Sequence, residues 1–177
     1  MTTKLFLLLF FISFYAQSQI PTNIENYGAF FKVENPEFKT DTTQNFYVVF
    51  DIAKSFEDTS IPNKLIESAA RYIRIHRAAG IPNKSIKVAL VIHGSAIFDL
   101  LTHKEYQALR DSKNPVNPNY DLISALSIEG VEIILCGQTA GYRKIDKTQL
   151  HPDVKLALSA MTALVQLQNE GYRLINF

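Results

Sequence analysis

The chain has 177 residues, 47% of them hydrophobic, with 18 Lys and Arg against 17 Asp and Glu for a formal charge of +1. That length holds one domain with a real core rather than two ordinary ones, and the near-balanced charge leaves no basic footprint for nucleic acid. A single cysteine excludes an internal disulfide framework and any cysteine-based zinc cluster.

In chain order, Met1 to Lys4 carries one positive charge, Leu5 to Tyr15 is apolar, and Ala16-Gln17-Ser18 supplies small residues two apart. This is the layout of a secretory signal peptide over residues 1–18 with cleavage after Ser18. The apolar run is shorter than the ~20 residues of a spanning helix, so no membrane span is expected after cleavage. Cleavage also removes Lys4 and leaves the mature chain formally neutral. The expected location is exported, periplasmic or secreted. Residues 19–45 read as an N-terminal arm. Tyr27, Phe30, Phe31, Val33 and Phe38 are too many large apolar side chains for a free tail, so the arm is expected to pack on the domain or on a neighbouring subunit.

Residues 46–177 read as one α/β domain. Phe46 to Ile52 is an almost continuous apolar strand, the pattern of a strand buried on both faces. A helix is predicted from Pro62 to Ala79, stopped by Gly80, with Leu65, Ile66, Ala69, Ala70 and Ile73 as its buried stripe. Arg71, Arg74 and Arg77 recur on another face, where a solvated role is the plainer reading and an anionic partner the sharper one. Ile86 to Ile92 is a second strand ending in His93-Gly94-Ser95, followed by helical pieces at 96–101 and 104–110. Asn117 is a natural N-cap, with Pro118 at N1, for a helix to Glu129. Val131 to Cys136 is a third strand, and residues 138–149 read as a polar loop. A long helix is predicted from His151-Pro152-Asp153 to Glu170, then a final strand over 172–177. Strands alternating with helices predict a mostly parallel sheet with right-handed crossovers and helices on both faces.

Chemistry converges on the third strand. Cys136 admits two readings: a small hydrophobe buried at a strand end, or a nucleophilic thiol at the sheet edge where ligands of open α/β folds gather. Gly137 would allow close approach to the sulfur and leave a backbone N–H for an anion. His93 ends the second strand as Cys136 ends the third. Were the two strands neighbours, an imidazole could lower the thiol pKa or shuttle a proton, whereas the plainer role is to cap the following turn. Asp99 and His103 lie close in sequence, but a Cys-His-Asp arrangement is a spatial matter. The four histidines have no metal-ligand spacing, and no phosphate-loop or dinucleotide fingerprint is present, so no metal or cofactor is expected.

Taken in order, Val91-Ile92-His93-Gly94, Asn117-Pro118-Asn119, Gly130 to Gln138, Leu150-His151-Pro152 and Gln168 to Tyr172 resemble the DsrE/DsrF-like family, and more closely its exported branch. The resemblance covers 46–177. It implies a three-layer α/β/α domain around a mostly parallel sheet of about five strands, four of which are evident in the pattern. It also implies homo-oligomers, trimers or hexamers, and a sulfur donor or acceptor protein as partner. In sulfur-relay members a cysteine at the end of the corresponding strand carries sulfur as a persulfide, and Cys136 stands at that place. Arg143 and Ile145 match the basic loop that follows, while Lys144 replaces a glycine. Relay members are cytosolic, whereas this chain begins with an export pattern. The implied function is sulfane-sulfur binding or relay through Cys136 and His93, with Gly94, Gly137, Gln138 and Asn117 around the ligand. The alternative is a non-catalytic oligomeric ligand-binding or assembly module.

Overall fold

A computed structural model describes residues 23–110 and 113–176. Its centre is a five-stranded, all-parallel sheet: β1 (Phe46–Ile52), β2 (Ile86–Ile92), β3 (Glu132–Cys136), β4 (Lys155–Ala157) and β5 (Arg173–Asn176), in the order β4-β3-β2-β1-β5. β1 and β2 pair along their whole length, from Phe46 with Ile86 to Ile52 with Ile92. Successive side chains alternate between faces. Val48, Phe50, Ile52, Val88, Leu90 and Ile92 therefore enter one core, and Val49, Ala89 and Val91 the other. Both cores are apolar, which is why these strands read as nearly unbroken apolar runs.

The first face carries α1 (Lys64–Ala78) through Ile66, Ala69 and Ile73, and α3 (Tyr120–Ile128) through Leu122, Ile123 and Leu126. A 3-10 stretch (Gly94–Leu100) and α2 (His103–Leu109) connect β2 to α3. The second face carries α5 (Ala160–Asn169) through Ala160, Ala163 and Leu167. α4 (Gly137–Arg143) follows β3 directly. Helices on both faces of a parallel sheet make the three-layer α/β/α fold. Full burial of side chains such as Ile66, Leu90 and Ile123 contributes about 1.5–3 kcal/mol each.

Three local expectations are corrected. The helix predicted from His151 to Glu170 is two elements, β4 and α5, because Ser159 restarts the chain as an N-cap whose hydroxyl accepts the Thr162 N–H at 3.0 Å. The loop predicted over 138–149 contains α4. The helix predicted from Asn117 begins at Tyr120, since the Asn117 side chain is drawn into other bonds.

The arm divides in two. Ile24 is buried, Arg74 bonds the Tyr27 carbonyl at 2.5 Å and pairs with Glu25 at 3.1 Å, and Arg71 bonds the Ala29 carbonyl at 3.0 Å. Arg77 pairs with Glu129 and Asn83. The arginine row thus ties the arm and a neighbouring helix end to α1, while Arg71 stays exposed to solvent. Beyond it, Phe31, Val33 and Phe38 are exposed. The predicted signal peptide, 1–18, lies outside the described residues. Among the described residues no helix is long and apolar enough to cross a membrane.

Candidate functional site

β2 and β3 are neighbours whose last register pair is Ile92 with Leu135, so the next step of the ladder sets His93 beside Cys136. Adjacent strands lie about 4.8 Å apart. Period-two alternation puts both side chains on the α5 face, with Val91 and Ile134 one step below. β1 contributes Asp51 to the same face, in register with Val91. Three strand ends thereby bring Asp51, His93 and Cys136 into one pocket of about 280 Å3, closed on its other side by Gln138 of α4 and by Ser159, Ala160, Met161 and Leu164.

The His93 Nε2 lies 2.8 Å from Asp51 Oδ1, with both side chains part-buried. An ionised carboxylate only accepts, so Nε2 carries the hydrogen and Nδ1 is left for the pocket. Nδ1 has no hydrogen-bond partner among the described residues.

Cys136 is 6% exposed. Burial is the largest single influence on its thiol and raises the pKa. Against it stand the Thr139 N–H and hydroxyl and the N–H groups of Ala160 and Gln138, which together outweigh burial and hold the thiol below its usual range. These donors come from the first turns of two helices, α4 and α5, which meet at the sulfur. Thr139 also ties the site together, since its Oγ1 accepts the Gly94 N–H at 3.4 Å.

The remaining predicted residues divide. Gln138 lines the pocket, but its side-chain amide donates to the Leu158 carbonyl at 3.1 Å, leaving its backbone N–H for the sulfur. Gly137 serves packing: a Cβ there would meet the Ala157 carbonyl at 2.5 Å, so its bare Cα lets the end of β4 close against α4. Gly94 turns with φ +59 directly over the Ala53 carbonyl, and so sets the path of the chain after His93. Asn117 does not reach the pocket. It is 1% exposed, donates to the Asp99 and Leu101 carbonyls at 3.0 and 2.7 Å, and accepts the Asn119 N–H at 2.9 Å.

Asp99 and His103 do not line the pocket either. Asp99 accepts from Ser55 and Asn63, both at 2.7 Å, in a buried hub where desolvation raises its pKa. His103 stacks on Tyr120 and accepts the Asn117 N–H. The carboxylate of the site is Asp51. Its only sequence signal is that it interrupts the apolar run of β1. Thr139 carried no signal, since only the α4 turn aims it at Cys136. Arg143 lies over the Phe98 ring, and Lys144 takes the left-handed conformation (φ +54) that glycine adopts most readily. No cluster among the described residues could hold a metal ion.

The fold is similar to that of a protein of unknown function, MTH1491, from Methanobacterium thermoautotrophicum, with TM-score 0.53 and 21% identity over 75% of this chain and 100% of that one. It is also similar to the ychN protein of E. coli, with TM-score 0.50 and 16% identity over 75% of this chain and 99% of that one. No curated protein sequence matches the chain. Residues 38–177 match the DsrE/DsrF-like family, and with most of its length so matched the chain belongs to that family.

Proposed function

We propose that the protein is exported, assembles as a homo-oligomer, and binds or relays sulfane sulfur as a persulfide on Cys136. One observation carries the sulfur reading: the chain's only thiol, its pKa lowered by surrounding hydrogen-bond donors, sits in a pocket that also contains an Asp-oriented imidazole. A thiolate is the species that attacks sulfane sulfur, and the amides of α4 and α5 would hold the charge on either the thiolate or the product persulfide. His93 would take the thiol proton and return it to the leaving group. Family membership supports a sulfur-relay-like fold in general.

The test is persulfide labelling of purified protein after exposure to a sulfane donor, read by mass, beside Cys136→Ser. One added sulfur on the parent and none on the variant is the expected outcome. A thiol closed to alkylation in the folded protein, or titrating like a free thiol, would refute the reading.

A second reading, an assembly module, is favoured by Leu158, Met161 and Val165, which are 73%, 76% and 57% exposed beside the pocket. If oligomer contacts cover this face, Val165→Glu should reduce the native mass. An unchanged mass removes that role.

A further inference from the structure

From the chemistry of the pocket walls we infer that the sulfur donor is a small hydropersulfide, R–S–S–H, with a short apolar R group, and not an oxyanionic donor such as thiosulfate. The inference rests on the proposal that Cys136 accepts sulfane sulfur, and it names the donor class.

The walls are Ala160, Met161 and Leu164. No Lys or Arg lines the pocket, and Arg143 and Lys144, which end α4, are not part of it. Its one carboxylate, Asp51, already faces its one imidazole at 2.8 Å. The two remaining polar side chains are engaged elsewhere. Gln138 Nε2 donates to the Leu158 carbonyl, and the Ser159 hydroxyl bonds Thr162 Oγ1 at 3.0 Å and accepts its N–H. The N–H groups that reach the sulfur serve the thiolate itself. A dianion entering this space would therefore meet a thiolate and a carboxylate, find no cation except a His93 imidazolium already paired with Asp51, and lose its water against apolar walls, which is costly for a charge so poorly compensated. A short alkyl group meets the walls favourably. At about 280 Å3 the pocket is at or below the usual lower limit for small-molecule sites, which restricts R to a few heavy atoms.

The transfer balances without an external oxidant or reductant. His93 takes the proton of Cys136. The thiolate attacks the terminal sulfur of R–S–S–H, forming the Cys136 S–S bond as the donor's S–S bond breaks with its electron pair on R–S⁻. The imidazolium then returns its proton to give R–S–H. The net change is that one thiol gains the sulfane sulfur and one hydropersulfide becomes a thiol.

The experiment compares propyl hydropersulfide and thiosulfate as donors to the full mature protein, with Cys136 persulfide measured by mass, and repeats both with a free alkyl thiol to remove intrinsic reactivity. The expected result is a preference for the hydropersulfide at least about tenfold greater on the protein than on the free thiol. Equal or reversed preference, with Cys136 loaded, overturns the donor assignment and leaves the sulfur proposal standing. Loading by neither donor overturns both. Met161→Lys places a cation on the pocket wall at a side chain that is 76% exposed. It should raise loading from thiosulfate several-fold, and no rise would show that charge is not what selects the donor.

Discussion

The turn after His93 offers a direct measurement of how rigidly the site is built. Gly94 adopts φ +59, and a Cβ built on it would stand 2.5 Å from the Ala53 carbonyl oxygen. That oxygen is held in place, since it accepts the N–H groups of Ser95 at 2.9 Å and Ala96 at 3.3 Å. In Gly94→Ala the left-handed conformation costs about 1–2 kcal/mol. Relieving the contact opens two backbone hydrogen bonds at about 1 kcal/mol each. The lower unfolded-state entropy of alanine offsets about 0.4–1 kcal/mol. A net loss of about 2–3 kcal/mol is expected, a drop of roughly 5–10 °C in Tm for a domain of this size. Gly80→Ala is the control, because Gly80 also has positive φ (+86) but a Cβ there meets nothing within 4 Å. It should lose only the conformational part, about 1 kcal/mol. Denaturant unfolding of both variants decides the matter. Equal losses would mean that the Ala53 loop yields freely, and the argument that it fixes His93 over the pocket would fail.

Lys144→Gly should stabilise the protein by about 0.5–1 kcal/mol, the left-handed strain relieved less the added chain entropy of glycine; a loss would show that the Lys144 side chain makes a compensating interaction. Thr139→Val removes the hydroxyl that helps hold the Cys136 thiolate, so the pH profile of alkylation should move upward, and an unmoved profile would assign the acidity to the backbone amides alone. His151 is buried against Tyr120 and bonded to Ser124 at 2.9 Å, and desolvation lowers its pKa below the ordinary 6.5. The folded state then binds fewer protons than the unfolded one just below pH 6.5, so this contribution is present above that pH and is lost as pH falls through the folded value. His151→Gln should flatten that part of the stability curve, and an unchanged slope would move the proton uptake elsewhere.

The central strands were legible because burial on both faces leaves little but apolar residues. The predicted spans of β1 and β2 coincide with the observed ones. β4 was not legible: it is three residues long, and Val154, Ala157, Leu158 and Met161 happen to repeat at helical spacing through it. α4 was hidden because its composition is that of a loop, with Gly137 and Gly141 four residues apart and no apolar stripe, and the closing of β4 on Gly137 is a long-range contact. The neighbouring placement of His93 and Cys136 follows from two strands ending in register. Asp51 required the third strand to be set beside them, which no local pattern reveals. Asn117 shows the opposite failure: a polar residue beside prolines looks available for a ligand, yet its partners are carbonyls 16 and 18 residues away.

The edge strand carries a consequence for the thiol. β4 pairs only with β3, through three residues, and the Ala160 N–H that helps hold the Cys136 thiolate arrives from just beyond its end. A short edge strand is the part of a sheet that frays first. The acidity of the thiol is therefore coupled, through that one N–H, to the seating of the sheet's margin. Anything that binds the free edge of β4 or lifts it away will be felt as a rise in the Cys136 thiol pKa before the domain as a whole registers a loss of stability.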